Sequence, residues 1–226
     1  KDSDYDVRFL YVHRRDRYLS LRELRDVIEP PVEGDLDYSG WDLRKALMLF
    51  RKSNPPLLEW LGSPIVYIDR DGLADRLRKL LEESFSPQRC MHHYLHMAQG
   101  NFREYLKGDI VRLKKYLYVL RPLLACLWIE RHGTMPPTEF RQALDDASLP
   151  PPARDAIDAL LLRKMGGTEL DTGPRIPVLN EFFEELMTRF EAIAQGFPSP
   201  QIDFDPLDSL FREMLDQVPQ NDASDA

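Results

Sequence analysis

The amino-acid sequence predicts an α+β protein in two parts: a mixed sheet with flanking helices, followed by an all-helical domain. Short β-branched and aromatic runs, such as Val7-Arg8-Phe9-Leu10-Tyr11-Val12 and Ile65-Val66-Tyr67-Ile68, are confined to the N-terminal part of the chain. Beyond Ser86-Pro87 strand signals nearly vanish, and apolar residues recur at helical spacing from about 88 to 194. At 226 residues, 43% hydrophobic and 10% aromatic, the chain has enough apolar material for a packed core.

In chain order, Val7 to Val12 reads as a fully buried strand, because both parities are apolar apart from Arg8. A sheet covered on both faces is expected from it. After a loop rich in charge, Arg25-Asp26-Val27-Ile28-Glu29 reads as a second strand stopped by Pro30-Pro31, and Leu36-Asp37-Tyr38 as a third. Ser39 and Asp42 are spaced as the two members of a capping box, which predicts a helix from there to about Arg51 with Trp41, Leu43, Ala46, Leu47 and Phe50 on its apolar side. Asn54-Pro55 starts a short helix carrying Leu57, Leu58, Trp60 and Leu61, which ends at Ser63-Pro64. Ile65 to Ile68 is a further predicted strand, and Asp71 the predicted cap of a helix through Leu73, Leu77, Leu80 and Leu81. Further helices are predicted over about Ile110–Ile129, Thr138–Ala147, Ala153–Met165 and Val178–Ala194, with a shorter one from Pro206 to Leu215. The expected domains are 1–85, 86–196, and a partly disordered tail over 197–226 that carries the short helix.

No apolar run approaches the roughly 18 residues that a spanning helix needs, so no membrane segment is expected. Cys90 and Cys126 are too few for a disulfide framework and read as reduced core thiols, which points to a cytoplasmic setting. The formal net charge of −8 argues against broad binding of nucleic-acid phosphates, leaving a small or locally gripped phosphate substrate. Lys1 stands first with no signal-peptide pattern behind it, so the sequence is expected to begin inside a longer reading frame.

The candidate chemistry starts with Asp4 and Asp6. A strand has a side-chain period of two, so both leave one face, roughly 7 Å apart. Asp37, flanked by Leu36 and Tyr38, repeats the pattern of a carboxylate between apolar residues. Three carboxylates on neighbouring strands form a clamp for divalent ions in phosphoryl or nucleotidyl displacement. An Asp-x-Asp is also what a turn before a strand supplies, and a cap explains Asp42. On the Ile110–Ile129 helix, Lys114, Tyr118 and Arg121 line up at spacings of four and three, as a cation-aromatic-cation row or as a solvated basic face. Arg44 and Lys45 lie where they could face phosphates or snorkel around Trp41. His92 and His96 sit at i, i+4, but His93 stands where a zinc-protease motif needs Glu.

Several blocks, Ser3-Asp4-Tyr5-Asp6-Val7 with the strand after it, Ser39-Gly40-Trp41-Asp42-Leu43-Arg44-Lys45-Ala46-Leu47, Ser53-Asn54-Pro55-Pro56-Leu57-Leu58-Glu59-Trp60-Leu61 and Lys114-Lys115-Tyr116-Leu117-Tyr118-Val119-Leu120-Arg121-Pro122, resemble one family. It is the bacterial predicted nucleotidyltransferase family of the DNA polymerase beta superfamily, the group associated with RNA repair. The resemblance covers most of residues 2–195. It implies a polymerase-beta-like nucleotidyltransferase core followed by a helical domain that closes over the nucleotide. It implies Asp4 and Asp6 as the metal-binding pair and Asp37 as the third carboxylate, with Asp35 and Asp42 as rivals, and Mg²⁺ or Mn²⁺ as the cofactor. Nucleotide contacts are expected from Lys114, Tyr118, Arg121, Arg44 and Lys45. In that superfamily a Gly-Ser pair about ten residues before the Asp-x-Asp cradles phosphates, and it is expected upstream of Lys1. The expected reaction moves a nucleoside monophosphate from an NTP to an acceptor hydroxyl, on an RNA 3′ end or a small molecule. The competing expectation is a non-catalytic, antitoxin-like binding module on the same fold.

Overall fold

The computed structural model describes residues 5–31, 34–165 and 172–219. By its contacts the chain divides into two units, Lys1–Ser84 with Gln201–Ala226, and Phe85–Pro200. The fold is α+β.

The first unit is built on a three-stranded sheet. Strand β1 (Tyr5–Tyr11) is followed by a one-turn helix α1 (Arg15–Tyr18), the short strand β2 (Val27–Ile28) and strand β3 (Leu36–Asp42). The order is β1-β3-β2, with β1 parallel and β2 antiparallel to the central β3. The register sets Asp6 beside Asp37, Arg8 beside Ser39 and Leu10 beside Trp41. Neighbours in register leave the sheet on one side, so the even-numbered residues of β1 share a face with the odd-numbered residues of β3. On the other face the Phe9 ring lies across Gly40, where a Cβ would stand 2.3 Å from a ring carbon. Only glycine admits that approach.

Helix α2 (Leu43–Arg51) buries Leu43, Ala46, Leu47 and Phe50, an i, i+3, i+4, i+7 stripe. Its cap is Asp42, whose carboxylate accepts from the Arg44 amide at 2.9 Å, while Ser39 stays in β3. The capping-box reading is therefore corrected: pairing with β1 keeps the backbone extended through Asp42. Helix α3 (Pro55–Leu61) begins as its sequence dictates, with Asn54 accepting from the Leu57 amide and Pro55 at the first position.

Two further corrections belong to this unit. Ile65 to Ile68 forms no strand and is exposed, since no strand among the described residues pairs with it. Helix α4 (Leu73–Ser84) takes its side-chain cap from Asp69, which accepts from the Ala74 amide at 3.1 Å, while Asp71 turns the chain at φ +60°. The run Val7 to Val12, expected to be fully buried, is only half-buried along its whole length.

The second unit is a helical bundle: α5 (Pro87–Tyr105), α6 (Lys114–His132), α7 (Phe140–Asp146), α8 (Pro151–Met165) and α9 (Pro177–Ile193). A small antiparallel ladder of β4 (Ile110–Arg112) and β5 (Thr172–Pro174) precedes α6 and α9, so Ile110 to Arg112 is strand rather than the start of a helix. Met91, Tyr116, Leu123, Ile157, Phe183 and Phe190 are fully buried, and burial of each such side chain is worth about 1.5–3 kcal/mol. Tyr116 is held at both ends of a polar chain: its hydroxyl donates to Asn180 at 2.5 Å and accepts from the Ile176 amide, while Asn180 donates to the Leu106 carbonyl. Cys90 and Cys126 form no disulfide and are buried in this core, and burial pushes the Cys126 thiol up.

Helix α10 (Phe204–Gln217) returns to the first unit, burying Leu207, Leu210, Met214 and Leu215. It is tied there by Arg76 to Glu213 at 2.7 Å, by an ion pair of Arg15 with Asp216, and by the Tyr18 ring set edge-on to Phe211. No helix among the described residues is long and apolar enough to cross a membrane.

Candidate active site

The parallel pairing of β1 with β3 brings Asp6 and Asp37 side by side, although they lie far apart in sequence. Between them sits Arg8, which shares their face by parity. Its Nη2 donates to Asp6 Oδ1 at 3.1 Å and to Asp37 Oδ2 at 2.8 Å. Its Nη1 donates to the carbonyls of Val7 and Asp37, both at 3.1 Å. One guanidinium thus ties two carboxylates and the two strands that carry them. The hydrogen bond from Arg8 holds the Asp37 carboxyl below its ordinary value, against burial that would raise it. Asp6 stands open to solvent, with 70% of its side chain exposed.

Asp4 lies outside the described residues. Of the two rivals for the third carboxylate, Asp35 sits exposed in a turn, where its carbonyl accepts from the Tyr5 amide. Asp42 is 5% exposed and already committed: beside its capping bond, it accepts from the Tyr18 hydroxyl at 2.5 Å. It shares its face with Tyr38 and Gly40 rather than with Asp37. Burial pushes the Tyr18 phenol up, and the Asp42 hydrogen bond adds to the rise.

The other expected contacts are dispersed. Lys45 reaches Asp26 at 3.0 Å and lies 5.9 Å from the Trp41 ring, itself stacked on Trp60. Arg44 is exposed. In the second unit Arg121 donates to the Thr138 carbonyl, so it is turned toward the loop before α7. Tyr118 is half-exposed, and the cation against it is Lys115 rather than Lys114. The Lys115 Nζ lies 4.4 Å from the Tyr118 ring and 3.8 Å from that of Tyr105. Among the described residues no group of three or more His, Cys, Asp or Glu side chains is placed to hold a metal, the α5 histidines included.

The donor chemistry of the Asp6–Asp37 pair suits a hard divalent cation. Such an ion takes oxygen ligands, and Mg²⁺ is commonly held by one or two carboxylates, with water and substrate phosphates completing its shell. Both carboxylates reach one guanidinium nitrogen, so they are close enough to share an ion once Arg8 withdraws. In the sequence Arg8 reads only as an interruption of an apolar run, and its parity with Asp6 is the signal that sets it on the carboxylate face.

A family model described as RlaP, RNA repair pathway DNA polymerase beta family, matches residues 1–213. The chain is 46% identical over 219 residues to the uncharacterized protein YcgL of Bacillus subtilis (strain 168), a match covering 96% of this chain and 84% of that protein. No solved structure matches it.

Proposed function

This chain belongs to the RNA repair pathway DNA polymerase beta family, and on that premise we propose that it is a nucleotidyltransferase. It would transfer a nucleoside monophosphate from an NTP to an acceptor hydroxyl, an RNA 3′ end or a small molecule. The observation that carries the reading is the register pairing of Asp6 with Asp37 on one sheet face. Asp6 and Asp37, with Asp4 two residues before Asp6, would hold Mg²⁺ or Mn²⁺. When bound, the ion supplies charge neutralisation at the phosphates and activation of the attacking oxygen.

The residues' own work is positioning and proton transfer. Asp37 would accept the proton of the acceptor hydroxyl, a role that requires it to be free of Arg8, because the guanidinium holds its carboxylate in the weakly basic form. Arg8, once released, keeps a charged fork suited to a phosphate oxygen pair. On the helical unit, Lys114, Lys115 and the exposed Tyr118 would supply cationic and stacking contacts. The two buried cysteines, which form no disulfide, support a reducing, cytoplasmic setting.

One observation favours a second reading. Both carboxylates of the Asp6–Arg8–Asp37 triad already share a cation, which leaves a single net negative charge, as they would in a binding module that has given up turnover. Incubation of the protein with α-labelled NTPs, Mg²⁺ and an RNA pool separates the two. Label transfer by wild type that is lost in Asp6→Asn and Asp37→Asn supports the enzyme. Equal transfer by the variants, or none by any of the three, overturns it.

A further inference from the structure

The first unit contains a cavity of about 410 Å³ that opens broadly to solvent, lined by residues from the end of β1, the α1 loop and β2, with Arg17, Arg25 and Glu29 exposed. Its size lies within the roughly 300–1,000 Å³ of small-molecule sites. It is separate from the carboxylate pair: Tyr11 stands five residues beyond Asp6 on β1, roughly 17 Å along the strand, and on the opposite face. Three features of the wall are unusual in a chain of net charge −8. Arg17 and Arg25 both line it, and neither side chain makes a hydrogen bond or ion pair with a carboxylate among the described residues. His13 lines it too, and its Nε2 is the buried side-chain polar atom that lacks a hydrogen-bond partner among the described residues. Tyr11 and His13 present aromatic surface, set edge to face at 5.2 Å, while Glu29 contributes a carboxylate.

We propose that this cavity binds a ribonucleotide through a phosphate monoester, with Arg17 and Arg25 gripping the phosphate and Tyr11 and His13 flanking the base. Two guanidinium forks without a carboxylate partner among the described residues match the paired oxygens of a dianionic phosphate. Glu29 is the acceptor for ribose hydroxyls, a contact that a bare inorganic phosphate lacks. The orphaned His13 nitrogen gains a partner when a polar ligand enters. The chemistry is shared by a free nucleoside monophosphate and by the phosphorylated end of an RNA strand. This site goes beyond nucleotidyl transfer and stands whether or not the carboxylates are catalytic.

The test is calorimetry on the full chain, without divalent ions, using AMP, adenosine, and an RNA octanucleotide with either a 5′-phosphate or a 5′-hydroxyl. Wild type is expected to bind AMP or the phosphorylated octanucleotide, and to bind the unphosphorylated counterpart at least tenfold more weakly. Arg17→Gln and Arg25→Gln should each weaken binding about tenfold, the loss of a charge-assisted hydrogen-bond pair. Arg17→Lys and Arg25→Lys, which keep the charge without the fork, should fall between. Asp37→Asn should bind as wild type does, which separates this cavity from the carboxylate site. Binding of AMP alone assigns the site to a free nucleotide, and binding of the octanucleotide alone assigns it to a strand end. Binding unaltered in an Arg17→Gln/Arg25→Gln double variant, equal affinity for phosphorylated and unphosphorylated probes, or no binding of any probe at millimolar concentration overturns the proposal.

Discussion

Replacing Arg8 with methionine keeps a long unbranched side chain and removes the guanidinium that lies 3.1 Å from Asp6 and 2.8 Å from Asp37. In the absence of metal the two carboxylates then face each other uncompensated, and the two bonds from Nη1 to the Val7 and Asp37 carbonyls are lost. The metal-free variant should therefore melt below wild type. Metal affinity should move the other way. A guanidinium held by the same carboxylates stands within about 6 Å of any ion they share, and a +1/+2 pair at about 6 Å repels by roughly 1.4 kcal/mol even at the dielectric of water. That is about tenfold in affinity. Mn²⁺ binding without nucleotide, followed by the electron-paramagnetic signal of the free ion, should be about tenfold tighter in Arg8→Met and absent in Asp37→Asn. Equal or weaker Mn²⁺ binding by Arg8→Met would refute the competition between guanidinium and ion. Acid stability supplies a second readout. Arg8 depresses the native pKa of Asp37 below its unfolded value of about 4. The stabilisation is thus complete above about pH 4 and lost as pH falls through the lower native value. Wild type should lose this component on acidification, and Arg8→Met should have little of it to lose.

Asp42 and Asp37 should separate cleanly in urea denaturation. Asp42→Ala leaves the Arg44 amide uncapped and the Tyr18 hydroxyl without its acceptor, a loss of about 1–3 kcal/mol, whereas Asp37→Asn should keep a midpoint much nearer wild type. In the helical unit Tyr116→Phe strips the Ile176 amide and Asn180 of their partner, costing about 1–3 kcal/mol and lowering the thermal midpoint by roughly 3–10 °C; an unchanged melt would contradict the buried polar chain. Gly40→Ala places a methyl inside the Phe9 ring contact and should cost about 1–3 kcal/mol, partly recovered when Phe9→Leu is added, as a double-mutant cycle would show.

Local chemistry was legible where a residue acts on its own neighbours. Asn54-Pro55 starts a helix because a side-chain acceptor and a donor-free proline meet the needs of a first turn in any context. Ser39-Gly40-Trp41-Asp42 misled because the same four residues satisfy a capping pattern, while the neighbouring strand decides where the helix starts. Ile65 to Ile68 has strand composition and, among the described residues, no strand to join, and pairing partners are not a local property. Asp6 and Asp37 stood out singly as carboxylates among apolar residues, but their register did not, since it depends on how two distant strands align. Arg8, Arg17 and Arg25 were hidden for a related reason. A charge in an apolar run or in a charged loop shows its role only when the groups around it are known. Lys115 was masked by Lys114, because Tyr105, on another helix, selects the cation that lies against Tyr118.

The return of α10 to the first unit makes that unit discontinuous in sequence. On the ribosome, the strands bearing Asp6 and Asp37 emerge ahead of the helical unit, yet the surfaces that receive Leu207, Leu210 and Met214 stay uncovered until that whole unit has been made. At synthesis rates of about 5–20 residues per second, that interval lasts on the order of ten seconds. Residues 85–200 hold a complete core of their own and are free to fold during it. The helical insert therefore has everything it needs to fold before the carboxylate-bearing unit does, and completion of that unit waits for α10. A chain cut short after Pro200 would carry both aspartates in a unit that has lost its closing helix.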